Sequence, residues 1–168
     1  GMFIQRLLLL LLGLLGLGAA CASPVTTDYV EAELVSEYRA VEAGKPVWVA
    51  LRLKHDRHWH TYWRNPGDSG LPTKIEWKLP AGVSAGPIQW PTPQRIPLPP
   101  LANYGYENEV LLLVELQVPA QFFGTEVKMD ARADWLVCKD VCIPGGADLK
   151  LALPVVQGTP AREERWAK

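Results

Sequence analysis

The sequence predicts an all-β protein, an antiparallel β-sandwich of immunoglobulin-like type, and three observations carry that expectation. Apolar residues alternate with polar ones at a period of two along most of the chain after Ser23, turn residues separate these runs, and no convincing helical periodicity appears among them. About eight strands follow from this pattern.

The first residues stand apart. Gly1, ahead of Met2, reads as a residue left over from cloning. Arg6 then supplies one positive charge, an apolar run extends from Leu7 to Leu17, and small residues continue to Ala22. This is the layout of an export signal. The run is shorter than the roughly 20 residues needed to span a bilayer, and Ala20-Cys21-Ala22 offers a small-x-small cleavage site before Ser23. Residues 1–22 are therefore expected to be a signal peptide. Gly18-Ala19-Ala20-Cys21 also resembles a lipoprotein signal, in which Cys21 would carry lipid. Both readings put the mature protein outside the cytoplasm, where disulfides form and persist.

Among the strands, Val30, Ala32 and Leu34 alternate with Glu31 and Glu33. The turn Ala43-Gly44-Lys45-Pro46 leads into Val47, Val49, Leu51 and Leu53. Trp59 to Trp63 is a short aromatic run, expected to end at the turn cluster Asn65-Pro66-Gly67-Asp68-Ser69-Gly70. Ile75, Trp77 and Leu79 alternate with Lys74, Glu76 and Lys78 until Pro80-Ala81-Gly82 breaks the run. The segment from Pro87 to Tyr106 carries Pro87, Pro91, Pro93, Pro97, Pro99 and Pro100. Proline removes ladder donors, so a stiff loop or a sheet edge is expected there. Its plain reading is a surface connection; with its exposed aromatics it is also a candidate lid. Val110 to Val118 is the most apolar run and is expected to be central. Val127, Met129, Ala131, Ala133 and Trp135 alternate up to the cysteines, and Leu149, Leu151 and Leu153 follow them. Thr159-Pro160-Ala161-Arg162-Glu163 reads as a capped helix start or a linker, which sets residues 158–168 apart from a single sandwich domain over residues 23–157.

The formal net charge of -1 argues against nucleic acid, which calls for a basic stripe. Two cysteines beyond the export signal cannot make a disulfide scaffold of the small secreted kind, so the core must hold the fold together. Those two, Cys138 and Cys142, flank Lys139-Asp140-Val141, which would be a hairpin tip. Residues flanking such a tip face each other within disulfide reach. A ring this small constrains the unfolded chain little, about 2 kcal/mol by loop entropy, and is a poor staple. An exposed tip is instead where a partner sulfur can attack. Lys139 favours a thiolate and Asp140 opposes it, so the attacking sulfur is left open. The alternative is a structural disulfide, although the structural bridge of immunoglobulin-type domains spans tens of residues across the core.

At this point the residues resemble a known family. Trp59-His60-Thr61-Tyr62-Trp63-Arg64-Asn65-Pro66-Gly67-Asp68-Ser69-Gly70-Leu71-Pro72-Thr73, then Tyr104-Gly105-Tyr106, then Asp134-Trp135-Leu136-Val137-Cys138 to Cys142-Ile143-Pro144, are similar to the N-terminal periplasmic domain of DsbD-type thiol:disulfide interchange proteins and their ScsB-like relatives, associated with copper tolerance. The resemblance implies an immunoglobulin-like sandwich in the periplasm whose cysteine pair, matched by Cys138 and Cys142, receives electrons from a membrane-embedded domain of the same polypeptide. It would pass them to oxidised thioredoxin-fold proteins, with no cofactor of its own. The resemblance also puts Asn103, Tyr104, Gly105 and Tyr106 where the family carries a cap loop that shields the sulfurs. The best-known members space their cysteines more widely and carry a phenylalanine in the cap, which leaves open which tyrosine shields the pair here. His60 and Tyr62 are expected beside the sulfurs, tuning their ionisation.

A second class remains: a binding module with a structural disulfide, or a copper-binding protein using His55, His58 and His60. Adjacent histidines at a strand start are more often surface residues, and no metal site is assigned. The tryptophans, at alternating strand positions, read as core rather than as a ligand platform.

Overall fold

The computed structural model describes residues 21–166, so the export signal expected over residues 1–22 falls almost wholly outside the described residues. In chain order the strands are β1 (Cys21–Ala22), β2 (Val25–Thr26), β3 (Val30–Ser36), β4 (Val41–Glu42), β5 (Val47–His55), β6 (Thr61–Gly67) and β7 (Lys74–Lys78). They continue as β8 (Ser84–Ala85), β9 (Gln94–Leu98), β10 (Leu101–Tyr106), β11 (Glu109–Gln117), β12 (Glu126–Cys138) and β13 (Cys142–Val156). Among the described residues there is no helix, and so none long and apolar enough to cross a membrane.

Two sheets enclose the core. One has the order β2-β3-β5-β11-β8; the other runs β1-β13-β12-β7, with β4 pairing β13 in parallel. Leu34, Leu51, Leu53, Leu112 and Leu116 of the first meet Met129, Leu149, Leu151 and Leu153 of the second, and these are 0–2% exposed. The immunoglobulin-like sandwich read from the alternating pattern is what forms, because a period of two puts each strand's apolar set on one face. The middle strand of the first sheet is β5, not the more apolar β11, whose far neighbour β8 is only two residues long. Within β5, Arg52 looks like a solvent-facing residue yet is only 5% exposed. Glu33 at 3.0 Å, Glu31 at 3.1 Å and Glu109 at 3.4 Å surround its guanidinium, and the Trp166 ring lies 5.5 Å away, so its burial is compensated.

A third, smaller sheet, β6-β10-β9, departs from the sequence pattern. The expected turn at Asn65-Pro66-Gly67 is instead the second half of β6, where Gly67 pairs with Asn103. Gly67 has φ 91°, and a side chain on it would overlap the Ala102 carbonyl, so glycine serves close strand approach here rather than a turn. The proline-rich segment folds into the β9–β10 hairpin around a cis Pro99-Pro100 bond. Its edge strand β9 keeps a proline, while β10, hydrogen-bonded on both sides, has none. Residues 159–166 do not begin a helix. Ala161 O accepts from Arg39 N at 2.7 Å and Glu163 N donates to Glu37 O at 2.7 Å, which straps this segment against the chain after β3.

Candidate functional site

Strands β12 and β13 form one long hairpin, in register from Glu126 opposite Pro154 to Cys138 opposite Cys142. The two cysteines are its last pair, with Cα atoms 4.2 Å apart and a disulfide between them. Lys139-Asp140-Val141 is the tip, closed by Lys139 N donating to Val141 O at 3.0 Å. The two sulfurs differ in access. Cys138 is 2% exposed, whereas Cys142, Lys139, Asp140 and Val141 are all exposed. The cause lies on the other edge of β12, where His60 N donates to Cys138 O at 3.0 Å and Cys138 N donates to His60 O at 2.9 Å. Cys138 is tied from both sides, Cys142 from one.

His60 is held by an unusually determined backbone. Three non-glycine residues at this end of the sandwich have left-handed backbone: Tyr29 (φ 67°), His58 (φ 68°) and Asn108 (φ 57°). Two of them are tied to the chain at the end of β5, His55 N donating to Asn108 O and Asp56 N to Tyr29 O, both at 2.8 Å. The Tyr29 ring stacks on Trp59 at 3.7 Å. Left-handed backbone at a bulky residue such as Tyr29 costs of order 1 kcal/mol, so the surrounding bonds must impose it. From that anchor His60, just ahead of β6, and Tyr62 within it share one face, with His60 Nε2 3.0 Å from the Tyr62 hydroxyl and the rings edge to face. Tyr62 is 1% exposed; Gly70 lies flat on its ring, and Pro72 pairs with it beside the place where Cys138 pairs His60.

Burial sets the ionisation here. It holds the His60 imidazolium below its ordinary range, against the pull of Glu107, and pushes the Tyr62 phenol up. Burial also lowers His55, whose Nδ1 lies 2.7 Å from Asn108 O and Nε2 2.8 Å from Thr61 Oγ1; the Asn108 contact works the other way, and His60 adds to the lowering. Unfolded histidines titrate at about 6.5, so below that pH the unfolded chain binds more protons than the folded one. The stability from burying these rings is complete above about pH 6.5 and is lost as the pH falls through their lower folded values. Urea midpoints are therefore expected to drop between about pH 7 and pH 5, and the His55→Gln variant to show a shallower drop. An equal slope in the variant would remove His55 from this account.

The segment expected as a cap loop is strand β10. Gly105 pairs with Tyr62 and Tyr106 with Thr61, so Gly105 shares the face of His60 and Cys138 while Tyr104 and Tyr106 leave from the opposite face. Tyr104 is 37% exposed and meets Trp63 edge-on at 6.4 Å. Tyr106 is buried and donates to Pro91 O at 2.8 Å; burial pushes its phenol up to about 12, with Arg64 nearby pulling the other way. Asn103, fully buried, clamps β10 to the loop after β6: its Oδ1 accepts from Ser69 N at 3.1 Å and its Nδ2 donates to Ser69 Oγ at 2.9 Å. The segment is thus regular strand, the middle one of its sheet.

The histidine cluster separates. His55 is buried in its own hydrogen bonds, His58 is exposed, and His60 faces Tyr62. Among the described residues no three His, Cys, Asp or Glu side chains converge as a metal site. Trp135 is a core residue facing Gly145 across the hairpin. Sequence reasoning passed over Val141, 60% exposed at the tip beside Cys142, and Leu71, 63% exposed next to Pro72. An apolar residue inside a charged hairpin tip was the available signal for Val141.

The family described as thiol:disulfide interchange protein DsbD, N-terminal, matches residues 28–154 of this chain. Among solved structures, the N-terminal periplasmic domain of ScsB from Proteus mirabilis superposes with a TM-score of 0.63 at 21% identity. That match covers 86% of this chain and 53% of the other, so this chain spans about half the length of that relative. At that identity the likeness is one of fold. No curated protein matches the chain.

Proposed function

This chain belongs to the family of DsbD N-terminal domains, and from that membership we propose that it is an exported thiol:disulfide interchange module working through Cys138 and Cys142. It accepts electrons in the periplasm from a membrane-embedded domain, taken to belong to the same polypeptide, and passes them to oxidised thioredoxin-fold proteins. The observation that carries this reading is the unequal exposure of the two sulfurs at a hairpin tip. A donor thiolate reaches Cys142 first, forms a bond to its sulfur, and expels Cys138 as thiolate; a second donor sulfur then releases the reduced domain. In the forward direction Cys142 attacks the acceptor disulfide and Cys138 resolves the mixed disulfide. Exposed Val141 and Leu71 supply apolar surface for a docking partner.

Equilibration of the purified domain with glutathione or dithiothreitol buffers tests the reading. A reduction potential well above about -300 mV is expected, as for labile, exchange-competent disulfides. A lower value would mean a bridge that cellular thiols barely touch, and would return the domain to the class of binding modules with a structural disulfide.

A further inference from the structure

We propose that His60 is the proton acceptor for the buried Cys138 thiol in the resolving half of the exchange, with Tyr62 fixing the imidazole for that role. The inference rests on the exchange reading above and adds to it the group that moves the proton.

Resolution poses a chemical difficulty that attack does not. Cys142 is exposed and loses its proton to water, but Cys138 is 2% exposed, and a buried thiol ionises reluctantly. Only the thiolate is nucleophilic, so the closing step needs a base inside the fold. His60 and Cys138 exchange both backbone hydrogen bonds, at 3.0 and 2.9 Å, which makes them a hydrogen-bonded cross-strand pair with side chains on one face, a type whose Cβ atoms stand about 5.5 Å apart. That separation lets an imidazole nitrogen and a sulfur meet. Nε2 is already taken by the Tyr62 hydroxyl at 3.0 Å, which leaves Nδ1 as the nitrogen for the thiol. When Nε2 carries the hydrogen and donates to Tyr62, Nδ1 has a free lone pair.

The other charged and titratable groups do not compete. Glu107, in the turn between β10 and β11, favours the imidazolium that the transfer creates, and His55 on β5 is occupied by Asn108 and Thr61. Lys139 and Asp140 are exposed at the hairpin tip. Burial keeps His60 neutral near neutral pH and so able to accept.

In the mixed disulfide, the Cys138 thiol gives its proton to His60 Nδ1, and the thiolate attacks Cys142 Sγ. The Cys138–Cys142 bond forms, the bond from Cys142 to the partner sulfur breaks, and the partner leaves as a thiolate that takes a proton from solvent. His60 returns its proton to water. Together with the first attack, two electrons pass from the domain to the partner disulfide.

Rapid-quench mass spectrometry of the reduced domain reacting with glutathione disulfide separates the two phases: formation of the Cys142–glutathione adduct and its closure by Cys138. In His60→Ala, closure is expected to slow about 100-fold near neutral pH while adduct formation stays near the wild-type rate. The wild-type closure rate should fall on the acid side with the ionisation of His60, this limb should vanish in the variant, and added imidazole should restore part of the rate. His60→Gln, which can still bond Tyr62 but cannot take a proton at this pH, serves the same test if His60→Ala does not fold. Closure at the wild-type rate with an unchanged pH profile, or slow closure that imidazole does not rescue, overturns the proposal. A wild-type domain that forms no adduct overturns the exchange reading and this inference with it, whereas a normal adduct with unaltered closure in the variants removes only the role of His60.

Discussion

Cys142→Ser is expected to abolish electron transfer, and Cys138→Ser to halt it at a stable adduct with the partner. Both variants should fold. The ring they open is closed over only three intervening residues, worth about 2 kcal/mol of loop entropy, and the sandwich core does not depend on it. The asymmetry comes from access: an incoming sulfur must approach in line with the disulfide, and Cys138 is covered on both strand edges while Cys142 is not. Without Cys142 there is no exposed nucleophile, so reduction of a thioredoxin-fold disulfide should fall to background. Without Cys138 the adduct forms and has no internal sulfur to release it. Non-reducing gels of each variant mixed with an oxidised thioredoxin-fold protein distinguish these outcomes. A covalent adduct formed by Cys142→Ser through Cys138 would falsify the assignment of roles.

How much of this site the sequence disclosed depends on which interactions are local. The β12–β13 hairpin and its disulfide were legible because alternation from Val127 to Trp135 and a three-residue tip are short-range signals. The burial of Cys138 was not legible, since it comes from His60, far away in sequence and joined to it by an isolated bridge. The same holds for Arg52, whose partners Glu31, Glu33 and Glu109 lie on neighbouring strands. Where residue preference pointed the wrong way, at Asn65-Pro66-Gly67 and at Asn103 to Tyr106, tertiary pairing overrode it. The glycines that look like turn or loop signals there are the positions at which β6 and β10 come close. The family resemblance named Cys138, Cys142, His60 and Tyr62; the structure joins the two cysteines in a disulfide and pairs His60 with Cys138. The tyrosines it named, Tyr104 and Tyr106, are carried by β10 on the face opposite Gly105.

Gly105→Ala follows from that close approach and is expected to destabilise the domain by about 3 kcal/mol or more, at the upper end of overpacking costs. A Cβ at Gly105 would overlap the Thr61 carbonyl oxygen and stand 3.0 Å from both Thr61 C and Tyr62 Cα. These are backbone atoms, so no side chain can rotate away to make room. Relief requires β10 to separate from β6, which breaks the Gly105–Tyr62 and Tyr106–Thr61 pairings and loosens the strand that begins beside His60. The damage should therefore reach the site: Cys138, losing part of its cover, should become more accessible, and alkylation of the reduced variant should modify both cysteines where the wild type is modified mainly at Cys142. Gly86→Ala is the control, since a Cβ there meets only Glu115 O at the ordinary contact distance of 3.4 Å, and its midpoint should stay within about 0.5 kcal/mol of wild type. Denaturant unfolding of the two variants settles the matter: equal midpoints would mean that β10 is free to shift, and that the three-stranded sheet does not hold His60 against Cys138 as described.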